Sequence, residues 1–213
     1  MSRPRPATLA LAAGYATLAV LVAAGALNWL DQWSVEHLMP EFSDTRKGPT
    51  LLESAVPLLH ASWDTWLQVV ANVVTVPAQA LVASTLFAVC CLMLWRRGRT
   101  RTAVAWVAVW IAGNAVEVLC KATLSRPQLH VDGAAIVAFQ SSYPSGHALR
   151  AVLLAAALAT VWPAARTWVG LWAAATLVLL ELGAFHVPSD IVGGVLLALL
   201  LITVARGAGR EAR

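Results

Sequence analysis

Long apolar runs alternate with short polar segments along the 213-residue chain. A transmembrane helix needs roughly 20 predominantly apolar residues, and about six runs approach that length. We expect the spans at about Ala7–Leu30, Trp66–Trp95, Ala103–Leu124, Ser145–Trp162, Trp168–Phe185 and Ser189–Ala205. The pattern therefore predicts an all-α fold, a polytopic membrane bundle of about six transmembrane helices.

The polar segments between these runs predict the rest of the organisation. Asp31–Asp64 forms an acidic outer segment, and tryptophans at its borders are typical of a membrane interface. Pro77 is expected to kink the second span, because proline removes a helical hydrogen bond. We expect one domain over residues 1–213, with a motif-bearing core at 117–194 and the outer polar segment at 31–64.

Composition agrees with a membrane protein. The chain is 59% hydrophobic and 12% charged, with a mean hydropathy of +0.71, whereas soluble domains carry about 25% charged residues. The net charge of +4 does not indicate nucleic-acid binding, because the basic residues lie at the termini and between apolar runs. Cysteines 90, 91 and 120 fall within apolar runs and lack metal-ligand spacing.

The basic residues also predict an orientation. Most lie on one side of the predicted bundle: Arg3, Arg5, Arg96, Arg97, Arg99, Arg101, Arg166, Arg206, Arg210 and Arg213. By the positive-inside rule this side is the cytoplasm, so both termini are expected there in a multi-pass protein of the cell membrane. The histidines and charged residues at the opposite span ends then gather at the extracytoplasmic face.

Three short segments at that face carry candidate chemistry. Lys121 and Arg126 at the end of the third span supply cations that can bind phosphate oxygens. Ser145 is placed to cap the fourth span, and Gly146 beside it allows close approach of an anion to free backbone N–H groups.

The second and third of these segments also contain histidines. His147 follows Gly146, and His186 stands four residues before Asp190 between the last two spans. A carboxylate at that spacing can orient an imidazole and leave its second nitrogen free to attack. Together these groups provide what phosphoryl transfer requires: a nucleophile, a proton donor and charge stabilisation.

These residues resemble a known family, the type 2 phosphatidic acid phosphatases or lipid phosphate phosphatases, which are related in fold to vanadium haloperoxidases. The family pattern is Lys with Arg-Pro seven residues on, then Pro-Ser-Gly-His, then Ser-Arg, five residues, His, three residues and Asp. Residues 144–147 match the second part fully, and His186 with Asp190 matches the end of the third.

The resemblance implies a role for each matched residue. His186 would be the nucleophile that forms a phosphohistidine, Asp190 would polarise it, and His147 would protonate the leaving group. Substrate binding would fall to Lys121, Arg126, Ser145 and Gly146. The resemblance implies no metal and no cofactor.

Two departures from the family pattern stand out. Arg126-Pro127 comes five residues after Lys121 instead of seven, where Gln128 stands, and Leu180 replaces the arginine of the third part. Arg150, one turn after His147, can replace that missing cation, with Glu181 holding it. The alternative is a purely structural ion pair, either Arg150–Glu181 or Lys121–Glu117.

The sequence thus predicts a metal-independent membrane phosphatase acting on a lipid phosphate or pyrophosphate. Undecaprenyl pyrophosphate, phosphatidic acid and phosphatidylglycerol phosphate are the candidates that the resemblance offers, and membrane lipids are the other expected partners. Two alternatives stay open, a lipid-phosphate phosphotransferase and a non-catalytic protein that binds lipid phosphate. The small size favours a bacterial origin.

Overall fold

The computed structural model describes residues 6–39, 66–131 and 134–210 of the chain. Within these ranges it contains eight α-helices: α1 (Pro6–Ala23), α2 (Asn28–His37), α3 (Trp66–Thr75), α4 (Ala80–Arg96), α5 (Thr100–Thr123), α6 (Gly146–Val161), α7 (Arg166–Leu182) and α8 (Pro188–Arg210). A short antiparallel hairpin of β1 (Leu129–Val131) and β2 (Ala134–Ile136) connects α5 to α6. The predicted all-α class is confirmed.

Most of the predicted spans correspond to helices of membrane-spanning length. Among the described residues, four helical segments are long and apolar enough to cross a membrane: Pro6–Ala23, Thr100–Thr123, Pro163–Leu182 and Pro188–Gly207. The predicted second span is a bent pair of segments, Val69–Ala78 and Ala80–Arg96, inclined to one another by 44°. Pro77 lies in the 3-10 turn Val76–Ala78 that ends the first segment, between α3 and α4. Proline therefore interrupts this span, as expected. The chain is a polytopic helical membrane protein.

The predicted fourth span is the central helix of the bundle. Helix α6 has only 16 residues, about 24 Å at 1.5 Å per residue, and it packs against α4, α5, α7 and α8. Leu149, Leu153 and Leu154 are fully buried in a core shared with Phe87 and Trp106. Other helices surround α6 on most sides, so protein and not lipid lies next to its backbone polar groups. Helix α6 therefore does not need to match the full thickness of the bilayer.

Close backbone packing joins the start of α8 to the start of α6. The backbone N–H of Ser145 donates to the carbonyl oxygen of Asp190 at 2.9 Å. A Cβ added to Gly194 would overlap the carbonyl oxygen of Ser145. Glycine at position 194 therefore permits the close packing of α6 and α8.

The first predicted span ends earlier than Leu30. Helix α1 stops at Ala23, and a turn with Gly25 at φ +71° leads into α2. Helix α2 buries Asp31 and Ser34 against the bundle and exposes Trp29. The start of the acidic outer segment is thus an ordered helix at the end of the bundle, while residues 40–65 lie outside the described ranges.

The basic residues of the helix ends gather away from α2. Thr8 of α1 hydrogen-bonds to Thr203 of α8 at 3.2 Å, so the beginning of the described chain meets its end. Arg97, in the turn between α4 and α5, donates to the carbonyl oxygen of Val161 at the end of α6 at 2.6 Å. The histidines lie at the other ends of α6 and α8, which separates the basic turns from the candidate site.

Candidate active site

Ser145 fixes the beginning of α6. Its Oγ accepts a hydrogen bond from the backbone N–H of Ala148 at 3.2 Å, and the side chain is fully buried. This is the N-cap that the sequence predicts, satisfying one of the donors left free at a helix start. Gly146 and His147 then form the first residues of the helix, at its electropositive end.

A tight turn after α7 places His186. The helix ends at Leu182, and the backbone N–H groups of Phe185 and His186 donate to the carbonyl oxygen of Leu180 at 2.9 and 3.1 Å. Ala184 takes up a left-handed conformation with φ 57°. An L-residue other than glycine is strained by about 1–2 kcal/mol in that region, so the surrounding packing must hold this turn.

His186 and Asp190 face one another as the four-residue spacing predicts. Nδ1 of His186 lies 3.5 Å from Oδ2 of Asp190, and Asp190 is fully buried. This separation is longer than an ordinary hydrogen bond, and Nδ1 is buried with no hydrogen-bond partner in the described structure. Burial lowers the pKa of His186, and the neighbouring Asp190 carboxylate acts in the opposite direction. A neutral imidazole is the form that can attack as a nucleophile.

His147 and His186 come together from different elements. Their ring centroids lie 6.1 Å apart with the ring planes inclined by 55°. His147 is on the first turn of α6 and His186 is on the loop before α8. The structure thus joins the two histidines that the sequence separates by nearly forty positions, with Asp190 beside one of them.

Arg126 is committed to two buried carboxylates. Its Nη1 donates to Oδ2 of Asp31 at 2.8 Å, and its Nη2 donates to Oδ1 of Asp190. The arginine side chain is 1% exposed. It is therefore placed to hold Asp190, whereas the sequence suggested a direct role in binding phosphate.

Three further polar residues of this cluster escaped the sequence analysis. Asp31 accepts from both the backbone N–H and the Oγ of Ser189, at 3.1 and 2.6 Å. Ser142 donates to Oδ2 of Asp190. Burial raises the pKa of Asp31, and Ser189 and Arg126 act against that rise. Asp31 looked like the start of a solvated segment, and no local signal in the sequence connects it to a position 95 residues away.

A second buried ion cluster lies beside Gly146. Glu117 accepts from Lys121 through Oε1 and from Arg150 through Oε2, both at 2.7 Å. Arg150 also donates to the carbonyl oxygen of Ala78 at 3.0 Å and to Oδ1 of Asn114 at 3.2 Å. The Lys121–Glu117 pair, which the sequence offered as an alternative, is therefore present, and Arg150 joins it.

The proposed pairing of Arg150 with Glu181 is wrong. Glu181 instead accepts a hydrogen bond from Ser34 of α2 at 2.9 Å. The carboxylate that approaches Arg150 comes from α5, because α5 and α6 pack with Glu117 level with Gly146. Leu180, which occupies the position of the missing arginine, is fully buried and packs with Ala148 and Ile191.

The two other histidines that the structure describes, His37 and His130, lie apart from the site. His37 is exposed on α2, where its Nδ1 is 2.9 Å from the carbonyl oxygen of Trp33. His130 is exposed on β1, while His60 and Asp132 are outside the described ranges. Across the described residues, no group of three or more His, Cys, Asp and Glu side chains is arranged to hold a metal ion.

Comparisons with known proteins support the fold. No protein-family model matches the chain, and no curated protein is significantly similar to it in sequence. Among solved structures, a transmembrane PAP2-type phosphatidylglycerolphosphate phosphatase from Bacillus subtilis superposes with a TM-score of 0.66 at 17% identity, covering 97% of each chain. The chain therefore has the fold of a PAP2-type membrane phosphatase, in agreement with the resemblance carried by its Pro-Ser-Gly-His and His-x-x-x-Asp segments.

Proposed function

We propose that the protein is a membrane phosphatase that hydrolyses a lipid phosphate through a phosphohistidine on His186. The observation that carries this proposal is the meeting of His147 and His186, with a buried Asp190 facing the second imidazole. A nucleophile, a proton donor and an orienting carboxylate are the three groups that such a reaction requires.

In the first step, Nε2 of His186 attacks the phosphorus atom. The new P–N bond forms as the P–O bond to the lipid breaks, and protonated His147 gives its proton to the departing oxygen. Nδ1 of His186 faces Asp190, so the carboxylate stabilises the positive charge that develops on the ring.

In the second step, water attacks the phosphohistidine. Neutral His147 accepts a proton from this water, the P–N bond breaks, and inorganic phosphate leaves with His186 restored. The same residue thus serves as acid and then as base, as reversal of one proton transfer requires.

Phosphate oxygens are bound in this proposal by Lys121 and by the start of α6 at Ser145 and Gly146. A helix N-terminus favours anions because its first N–H groups lack helical partners. Arg126 acts through Asp190 as a positioning residue, since its guanidinium is buried between two carboxylates. Arg150 is assigned a similar indirect role through Glu117.

The proposed substrates are lipid phosphates at the extracytoplasmic face. The solved phosphatase of the same fold is named for phosphatidylglycerol phosphate, and phosphatidic acid and undecaprenyl pyrophosphate are the other candidates. None of the proposed steps requires a metal.

Phosphate release from purified protein tests the proposal. We expect wild-type protein to release inorganic phosphate from at least one of these three lipids in mixed micelles, in the presence of EDTA. His186→Ala should be inactive, whereas His37→Ala, a matched change at an exposed histidine, should retain activity. Release no greater than that of His186→Ala on every lipid would contradict the proposal and favour a non-catalytic binding protein.

Added alcohols distinguish hydrolysis from transfer. A phosphotransferase would form the phosphate ester of the alcohol at the expense of inorganic phosphate, whereas a hydrolase would continue to release phosphate. Both products are measured in the same reaction by ³¹P NMR.

A further inference from the structure

We infer that Glu117 competes with phosphate for Lys121, pairing with this lysine beside the start of α6 until a phosphate group takes its place. This inference rests on the proposed function and deepens it. It assigns to Glu117 the control of how tightly the site holds an anion, a role that neither the sequence pattern nor the shared fold supplies.

The position of the carboxylate carries the inference. A Cβ added to Gly146 would overlap Oε1 of Glu117, so the carboxylate lies directly against the first residue of α6. Ser145 and His147, which flank Gly146, belong to the proposed site. Glu117 is 7% exposed and is paired with Lys121, so a negative charge of the protein itself already lies next to the helix start and holds a cation proposed to bind phosphate.

Its two cationic partners differ in how firmly they are held. Arg150 donates to Ala78 and Asn114 as well as to Glu117, and its side chain is 8% exposed. Lys121 has Glu117 as its ion-pair partner, and its side chain is 33% exposed. Lys121 is consequently the cation that can leave the carboxylate, while Arg150 keeps Glu117 from becoming a buried charge without a partner.

Exchange of Lys121 between two anions follows from this arrangement. An arriving phosphate takes the lysine ammonium, and Glu117 remains paired with Arg150. When inorganic phosphate has formed, Glu117 recovers Lys121 and so favours product release. The carboxylate also repels additional negative charge in the site, which favours a phosphate monoester over a diphosphate.

Direct binding of inorganic phosphate tests this without depending on turnover. Titration calorimetry on purified protein would compare wild type with Glu117→Gln and with Glu36→Gln, a matched change at an exposed glutamate on α2. Loss of a like charge within about 4–6 Å of the anion should tighten phosphate binding about tenfold or more in Glu117→Gln. Glu36→Gln should bind as wild type does.

Kinetics supply a second measurement that a merely structural role would not change in the same direction. In Glu117→Gln, KM and the inhibition constant for inorganic phosphate should fall together. Phosphate binding that is unchanged or weaker in folded Glu117→Gln would overturn the inference. If no lipid releases phosphate with wild-type protein, the proposed function fails, but the calorimetric comparison still decides the role of Glu117.

A double variant covers the case in which Glu117→Gln does not fold. Replacing Glu117 and Arg150 together, by Gln and Met, removes the buried pair as a unit, which is often tolerated. Lys121 is then without its competitor, and phosphate should still bind more tightly than to wild type. Binding no tighter than that of wild type in this variant would also overturn the inference.

Discussion

Arg126 and Asp190 form an ion pair inside the protein, although 64 positions separate them in the chain. Arg126 takes Oδ1 of the carboxylate, and Nδ1 of His186 lies 3.5 Å from Oδ2. Asp31 binds the same guanidinium from α2. The arginine therefore connects α2 to the carboxylate that faces the proposed nucleophile.

Removing this cation should destabilise the protein. Arg126→Met leaves two buried carboxylates without their partner, and breaking a buried pair in this way costs about 3–5 kcal/mol. We expect a lower free energy of unfolding in detergent, and reduced turnover because Asp190 loses its orientation. Arg101→Met, at an exposed arginine, is the control. Wild-type stability in Arg126→Met would contradict the placement of the guanidinium.

Local features of this site were predictable from the sequence. The N-cap at Ser145 depends on a spacing of three residues at a helix start, and the facing of His186 and Asp190 involves only the five residues that lead into α8. The kink at Pro77 follows from the missing N–H of proline. Each of these predictions needs only one segment of chain.

Contacts between distant segments were not predictable in the same way. Asp31 reaches Arg126 because α2 folds back onto the end of the bundle, and Glu117 reaches Arg150 because α5 and α6 pack at a particular level. A carboxylate partner for Arg150 was predicted correctly, because charges inside a membrane protein usually pair. The predicted partner, Glu181, was wrong because residue spacing along the chain does not give the relative heights of the helices.

Coupling energies should distinguish the two possible partners of Arg150. In a double-mutant cycle on unfolding, Glu117→Gln and Arg150→Met should show a coupling of about 1–3 kcal/mol, as expected for residues in one ion cluster. The cycle with Glu181→Gln and Arg150→Met should give coupling near zero. A larger coupling to Glu181 than to Glu117 would contradict the structure.

The pKa of His186 predicts a pH dependence of stability. Burial lowers this pKa in the folded protein, so the folded state keeps the ring neutral while the unfolded chain takes up a proton below about pH 6.5. The free energy of unfolding should therefore fall as the pH is lowered through that range. His186→Gln, which cannot titrate, should lose this component of the pH dependence.

Turnover should follow the same titration. The proposed nucleophile, His186, is neutral above its lowered pKa, so the acid limb of kcat/KM should lie below pH 6.5. An acid limb above that value, or an unfolding profile of His186→Gln parallel to that of wild type, would count against a His186 with lowered pKa.

Cysteine labelling in intact cells tests the proposed orientation. In a variant without the native cysteines, His130→Cys should react with a membrane-impermeant maleimide added from outside, and Arg101→Cys should not. The expectation rests on the basic residues at the end of the bundle opposite the histidines. External labelling at position 101 would reverse the orientation and place the site in the cytoplasm.

Trapping of the phosphorylated enzyme tests the central claim most directly. Wild type, His147→Ala and His186→Ala would be mixed rapidly with a ³²P-labelled lipid phosphate that has a good leaving group, then denatured in alkali. We predict label on the protein for wild type, more persistent label for His147→Ala because it lacks the base for the second step, and none for His186→Ala. Label that persists in folded His186→Ala, at the wild-type level, would contradict His186 as the nucleophile.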